Sequence, residues 1–343
     1  MPGIVSIVTR TLGRPCLADA AASVAAQTLP PLEWVVVDAA GRGLDAPSAG
    51  AVPVRVVTTG SPLRRSLAAN AGLDAVQGTH ALILDDDDLL RPTAVERLVG
   101  ALNRQPSFGL AYGDVDVVDA AGHKVGLYAF EYSELLVTRR NLFPPHAALF
   151  DVAMARDAGA RFDATLDWYE DWDFWLTLSQ RTAFLHVREV LADYRLHLSQ
   201  SGIASVDEPG ADPRIRAARD VVIARGAARR TALESRHDAL KRDAAAHAAA
   251  GRLPQAAAAW AAAHQDYHYD AEPILRYAEL ATRAGDARAA CTIVESGLAL
   301  LPAEPVLHRA RAALLERTGD RTGAAEALEK AHLLEAHGPH SPI

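Results

Sequence analysis

The sequence predicts an α/β domain built on a mostly parallel sheet, followed by an all-α domain of helical repeats. Three observations lead there. Short β-branched runs alternate with helical segments through the first 200 residues. Alanine is concentrated at the other end, with 31 of the chain's 70 alanines in the 105 residues from Ala239 onward. Glycines recur in that same stretch at a fixed interval. The length of 343 residues also exceeds the roughly 100 to 200 that one core usually fills.

Taken in order, residues 3–8 (GIVSIV) and 32–38 (LEWVVVD) read as strands, with an alanine-rich helix over 17–26 between them. Residues 52–58 give a third strand, 65–76 a helix, and 81–84 (ALIL) a fourth strand that stops at four aspartates. Sheets of this order bind ligands outside the carboxyl ends of their strands, and the aspartates lie at such an end. A further strand is expected over 108–118 with its turn at 119–122, then a helix over 171–180 whose aromatic and aliphatic positions share one side. A cluster of Gly, Asp, Glu and Pro over 202–213 precedes an arginine-rich helical segment over 214–230. The expected division is therefore 1–200, a linker or bridging helix over 201–236, and helical repeats over 237–343.

In the last of these, Gly251, Gly285 and Gly319 are 34 residues apart. Each has an alanine seven positions before it (Ala244, Ala278, Ala312) and another five after it (Ala256, Ala290, Ala324). Small residues in that phase let two antiparallel helices approach, and each glycine ends the first helix in the left-handed conformation. Helix pairs with this period resemble tetratricopeptide repeats, and Pro302 sits where that pattern closes a unit. The pattern's large aromatic positions are mostly replaced. A stack of three repeats offers a surface for a protein partner or for self-association.

Composition narrows the function. A formal net charge of -8 gives no footprint for binding nucleic acid through its phosphates. Cys16 and Cys291 stand far apart, so neither a disulfide framework nor a thiolate metal site is indicated and a reducing cytoplasm fits. No apolar run approaches the roughly 20 residues of a transmembrane segment. The expected location is the cytoplasm, compatible with peripheral attachment at the inner face of the membrane.

Asp85, Asp86, Asp87 and Asp88 end a strand that reads as buried. Four adjacent carboxylates repel one another, and a divalent cation of the Mn²⁺ or Mg²⁺ type neutralises part of that charge with the hard oxygen ligands it prefers. Alternation along an extended chain puts Asp85 and Asp87 on one side and Asp86 on the other. The plainer reading of an acidic run is a solvated turn or helix cap.

The order of the surrounding motifs resembles a family 2 glycosyltransferase of GT-A fold over residues 3–200. The matching segments are VSIVTRTLGRP at 5–15, SVAAQT at 23–28, the strand ending at Asp38, Arg65-Ser66, Asn70-Ala71-Gly72-Leu73, Gly78 and the aspartates. The resemblance implies transfer of a sugar from a nucleotide diphosphate sugar to an acceptor hydroxyl of a glycan, lipid-linked glycan or protein, usually with inversion. It implies Asp87 as the main metal ligand and Asp85 on the ribose or metal, with Asp86 and Asp88 less defined. Trp168 to Trp175 (WYEDWDFW) resembles the family's Glu-Asp pair, so Asp171 is the expected base and Glu170 the second choice. Aromatic surroundings should raise the Asp171 pKa by desolvation. The competing reading is a helix cap, with Trp172 and Trp175 in the core.

The family pattern further places Thr9, Arg10, Thr11 and Asp38 around the nucleotide, with Arg65, or Arg64 in its stead, at the base or phosphates. The acidic or amide neighbour that usually follows Asp38 is Ala39 here. Arg195 and His197 match an Arg-x-His pair that reaches the diphosphate or metal, and His146 and Trp172 are expected near the acceptor. The alternatives are a catalytically weak nucleotide-sugar-binding module whose repeats act as a protein-interaction scaffold, and an Mg²⁺-dependent nucleotidyltransferase or phosphatase. The latter leaves the Trp-Tyr-Glu-Asp segment without a role.

Overall fold

The structure, a computed structural model, describes residues 5–196 and 212–337. The chain divides into two compact units, Met1–Tyr132 with Leu136–Ala227, and Ser133–Leu135 with Ala228–Ile343.

The first unit runs β1 (Val5–Thr11), α1 (Leu17–Ala25), β2 (Glu33–Asp38), β3 (Val54–Thr58), α2 (Arg65–Ala75), β4 (His80–Ile83), β5 (Leu89–Leu90), α3 (Ala94–Arg104), β6 (Leu110–Val118) and β7 (Lys124–Tyr128). It continues through α4 (Glu134–Val137), a 3₁₀ turn (Pro145–Ala147), β8 (Ala148–Asp151), α5 (Val152–Asp157), α6 (Glu170–Leu178), β9 (Phe184–Arg195) and α7 (Pro213–Arg225). All the strands share one sheet in the order β3-β2-β1-β4-β8-β6-β9-β5, with β7 paired to β6.

Every residue of β1 and β2 is buried, which explains their unbroken β-branched runs: strands covered on both faces need not alternate. Gly72 of α2 allows the close seat of that helix on the sheet, because a Cβ there would lie 2.2 Å from Cγ1 of Val8. The β1 to β4 half is parallel, as the α/β alternation implies. Beyond β4 the sheet is mixed: β8 runs antiparallel to both β4 and β6, and β7 antiparallel to β6. The turn at 119–122 is too short for a crossover, so β7 folds straight back on β6. The acidic run lies between β4 and β5, and β5 is pinned by antiparallel pairing with β9.

The segment 201–236, expected as a linker, is divided. Residues 201–211 lie outside the described residues, and α7 packs on the first unit. Its Ile215, Ala218 and Val222 form an apolar stripe at 3- and 4-residue spacing, with Ala218 and Val222 against Leu166, Trp172 and Leu176.

The second unit begins with α8 (Ala227–Ala249) and continues through α9 (Leu253–Asp266), α10 (Ala271–Arg283), α11 (Ala287–Leu300), α12 (Pro305–Thr318) and α13 (Arg321–His337). Gly251, Gly285 and Gly319 all have positive φ, 70°, 84° and 90°, so each stops a helix as its spacing predicts. The phased alanines meet in pairs: Ala244 with Ala256, Ala278 with Ala290, and Ala312 with Ala324, each pair in its own buried cluster. Residues 133–135 belong to this unit through Glu134, which pairs with Arg229 (2.6 Å) and Arg236 (3.4 Å) of α8. Among the described residues, no helix is long and apolar enough to cross a membrane.

Candidate active site

The four aspartates are buried, each no more than 7% exposed, so the solvated turn does not describe them. Burial is tolerable because each finds partners from distant segments. Arg10, at the end of β1, donates through Nε to Asp85 (2.7 Å) and lies 3.0 Å from Glu170. Arg65, the first residue of α2, donates through Nη2 to Asp85 (2.7 Å) and through Nε to Glu170 (2.5 Å). Two arginines and two carboxylates thus form a closed network between β1, α2, the acidic turn and α6, buried at Arg10, Asp85 and Glu170 and partly exposed at Arg65. Burial would raise the Asp85 pKa, but the two guanidiniums outweigh it and hold the carboxyl well below its usual range.

Asp86 turns the other way. It accepts from Thr11 Oγ1 and pairs with Arg14, which also lies 3.0 Å from Asp87. Asp88 accepts from the Arg195 backbone N–H (2.9 Å), and its Oδ2 is 3.0 Å from Nδ1 of the buried His146. One oxygen each from Asp85, Asp87 and Asp88 lies within 4.8 Å of the others. Asp87 is the least compensated of the three: burial, then Asp88 and Asp85, push its carboxyl up to about 6 against the pull of Arg14. Three hard oxygen donors with excess negative charge suit a divalent cation of the Mg²⁺ or Mn²⁺ type.

The second carboxylate centre opens α6. Tyr169, just before it, is the single non-glycine residue with positive φ (59°) among the described residues, a strained conformation of the kind that gathers at functional sites. The adjacent carboxylates Glu170 and Asp171 then diverge. Glu170 is buried, and although burial would raise it, Arg65 and Arg10 hold it below the usual range. Asp171 is partly exposed and accepts from neutral donors, Asn141 Nδ2 and the Trp172 N–H, both at 2.8 Å. Burial first, then Glu170, push Asp171 up to about 6. Neighbouring acids are thus driven apart by their surroundings, Glu170 held ionised and Asp171 pushed toward neutrality.

Several expected residues have other occupations. Thr9 Oγ1 accepts from the indole of Trp34 (2.8 Å), and both residues are buried. Asp38 binds its own loop, accepting from the N–H groups of Ala40 (3.1 Å), Gly41 (3.0 Å) and Gly43 (2.8 Å). Trp172 is core, its Nε1 donating to the Val137 carbonyl (2.7 Å). Glu170, the second choice for base, is held by both arginines, which keep its carboxyl below the usual range. Arg195 is 2.9 Å from Asp19 and also donates to the Asp87 carbonyl, which ties the acidic turn to β9. Arg64 is exposed and pairs with Asp167 (2.5 Å). His146 meets the acidic turn at Asp88; burial opposes its protonation, but Asp88 and the neighbouring aspartates outweigh that and raise its pKa. His197 lies outside the described residues. Arg14, in the VSIVTRTLGRP segment at 5–15, and Asn141 carry no sequence signal apart from their neighbours.

Residues 5–153 match the model of Glycosyl transferase family 2, so the N-terminal part of the chain carries a domain of that family. Among curated proteins, an uncharacterized glycosyltransferase YwdF of Bacillus subtilis is 26% identical over 184 residues, covering 50% of this chain and 66% of that protein. The O-antigen biosynthesis protein RfbC of Myxococcus xanthus is 31% identical over 129 residues, 35% of this chain and 10% of its own. This chain therefore spans just under two thirds of the first and a tenth of the second. Among solved structures, S. aureus TarS 1-349 in complex with UDP-GlcNAc aligns over 96% of this chain and 92% of its own at 13% identity, with a TM-score of 0.48.

Proposed function

We propose that the chain is a metal-dependent inverting glycosyltransferase, moving a sugar from a nucleotide diphosphate sugar to the hydroxyl of a glycan, lipid-linked glycan or protein. The observation that supports this furthest is the double engagement of Arg65. One guanidinium holds Asp85 of the cation-competent turn and Glu170, the neighbour of the weakly acidic Asp171, so the two carboxylate centres are built as one site.

In this reading Asp171 takes the acceptor's proton as the hydroxyl oxygen forms its bond to the anomeric carbon. The bond from that carbon to the diphosphate breaks in the same displacement, which inverts the centre and releases a nucleoside diphosphate. Asp87 and Asp88, with the third oxygen from Asp85, would hold the cation. A divalent ion bound there supplies neutralisation of the charge that develops on the departing diphosphate. Arg10 and Arg65 keep Asp85 ionised, and Arg195 fixes the turn's backbone.

The expected result of a thermal-shift screen of nucleotide diphosphate sugars is stabilisation by one of them that requires Mn²⁺ or Mg²⁺ and is abolished in Asp87→Asn. Stabilisation that is indifferent to chelator and to Asp87→Asn would sink the cation assignment.

Two observations favour the rival, a binding module with weak turnover whose tetratricopeptide-like helices act as a scaffold. Asp38 is engaged with its own loop, and Arg10 and Arg65 are already paired with acids. Release of a nucleoside diphosphate on incubation with donor and acceptor separates the two readings.

A further inference from the structure

We propose that Asn141 is a positioning residue for the general base: its amide holds the Asp171 carboxylate in a single rotamer, leaving one flank of the carboxylate to the incoming hydroxyl. The proposal rests on the assignment of Asp171 made above.

The geometry begins with the two hydrogen bonds on Asp171. Asn141 Nδ2 donates to Oδ2 at 2.8 Å and the Trp172 N–H donates to Oδ1 at 2.8 Å. Both donors are neutral, and each carboxylate oxygen keeps a second lone pair. The carboxylate is therefore oriented without being matched by a cation. Glu170, one residue earlier, is the internal contrast: its Oε1 meets two arginines, and it is an anchor.

Asn141 is itself held rigidly against α6. Four residues upstream, the Val137 carbonyl accepts from Trp172 Nε1 at 2.7 Å. Two residues downstream, Phe143 stacks on Tyr112 (ring centroids 4.3 Å) and lies against Trp175 of α6 (5.3 Å). Leu142 and Phe143 are each 1% exposed, and Pro144-Pro145 restrict the backbone that follows. The stretch 137–143 is thus clamped to the same helix that carries Asp171, so the amide is preorganised. Its Oδ1 is buried and has no hydrogen-bond partner among the described residues. An amide with its carbonyl left unpaired is oriented by what its N–H₂ meets, and that is Asp171.

The groups facing Asp171 fix the sign of the effect. From its own element come Glu170 and Tyr169, from α2 Arg65, from β7 Tyr128, and from the clamped stretch Asn141. Burial and Glu170 raise its pKa, whereas Asn141, the Trp172 N–H and Arg65 lower it. Loss of the Asn141 donor leaves the base protonated to higher pH.

The test uses the full chain with two variants. Asn141→Leu has similar bulk and no donor; Asn141→Asp keeps the shape and puts an acid in place of the donor. Steady-state rates across pH are combined with carboxyl carbon-13 NMR titration of Asp171 in the absence of substrate. Expected for Asn141→Leu are a kcat lower by about 10- to 100-fold, an unchanged KM for the nucleotide sugar, and an acidic limb of kcat moved to higher pH. The Asp171 midpoint should rise in parallel. If Asn141→Leu does not fold, Asn141→Asp carries the test through the same upward midpoint. Folded variants with wild-type kcat, acidic limb and titration would overturn the proposal. Should the wild-type chain transfer no sugar while the midpoint still moves, the positioning of Asp171 stands and the transfer reading fails.

Discussion

The two units solve opposite packing problems. The sheet unit buries charge: Arg10, Asp85 and Glu170 meet in its interior and the partly exposed Arg65 closes over them, an arrangement in which a lone ion would be costly and mutual pairing makes burial tolerable. The helical unit sets its repeat contacts with small residues, alanine with alanine at Ala244–Ala256, Ala278–Ala290 and Ala312–Ala324, and packs larger apolar side chains such as Trp260, Leu280, Val294 and Leu314 around the first two pairs. One unit is organised by electrostatics between segments distant in sequence, the other by short-range shape that sets helix spacing. The lesson is a separation of sensitivities: substitutions in the first should strike chemistry, and substitutions in the second should strike stability alone.

The largest expected effect lies at Asp171. Asp171→Asn should lower kcat by about 10²- to 10⁴-fold, the usual worth of a positioned general base, while donor binding by calorimetry is retained. A base must be ionised to work, so the wild-type rate should fall as pH drops below the Asp171 value of about 6 and hold above it. A pH–rate profile flat through that region would break the comparison at its first term.

Next comes the bridge. Arg65→Leu takes from the buried Glu170 and Asp85 one of their two arginine partners and should cost about 3–5 kcal/mol in denaturant unfolding of the first unit, with donor binding lost as well. A loss under about 1 kcal/mol would mean that the pair is solvated like a surface bridge.

The smallest effect belongs to the helices. Ala290→Leu inserts three carbons where Ala278, Val294 and Leu314 already close the space, and should destabilise the helical unit by about 1–3 kcal/mol with kcat unchanged. A change in kcat at full folding would show the helices to take part in turnover and would sharpen the comparison into a coupling.

Legibility from sequence follows the range of the forces involved. The first three long strands, α1, α2 and the glycine stops of the helical unit are set by local pattern and were readable from it. The α7 stripe of Ile215, Ala218 and Val222 was missed because arginines crowd around it and its apolar partners lie some 50 residues earlier. Thr9 stands in the strand expected to line the nucleotide, but its hydroxyl turns to Trp34, a choice that depends on which face of β1 that side chain occupies. Asp38 accepts from the N–H groups of its own loop, where Gly41 and Gly43 take positive φ, a contact that the strand pattern does not announce.

By itself, then, the sequence determined the two-part order, the strand-end position of the aspartates, the Glu-Asp pair at a helix start and the 34-residue phase of the helical unit, because each is written in neighbours or in a fixed period. Tertiary structure alone decided which acid is which. Glu170 and Asp171 are adjacent and chemically alike, and they part only because Arg65, 105 residues away from Glu170, reaches one, while Asn141 reaches the other. Charge in a buried site acts through space, and spatial neighbours 30 or 105 residues apart leave no mark in local pattern.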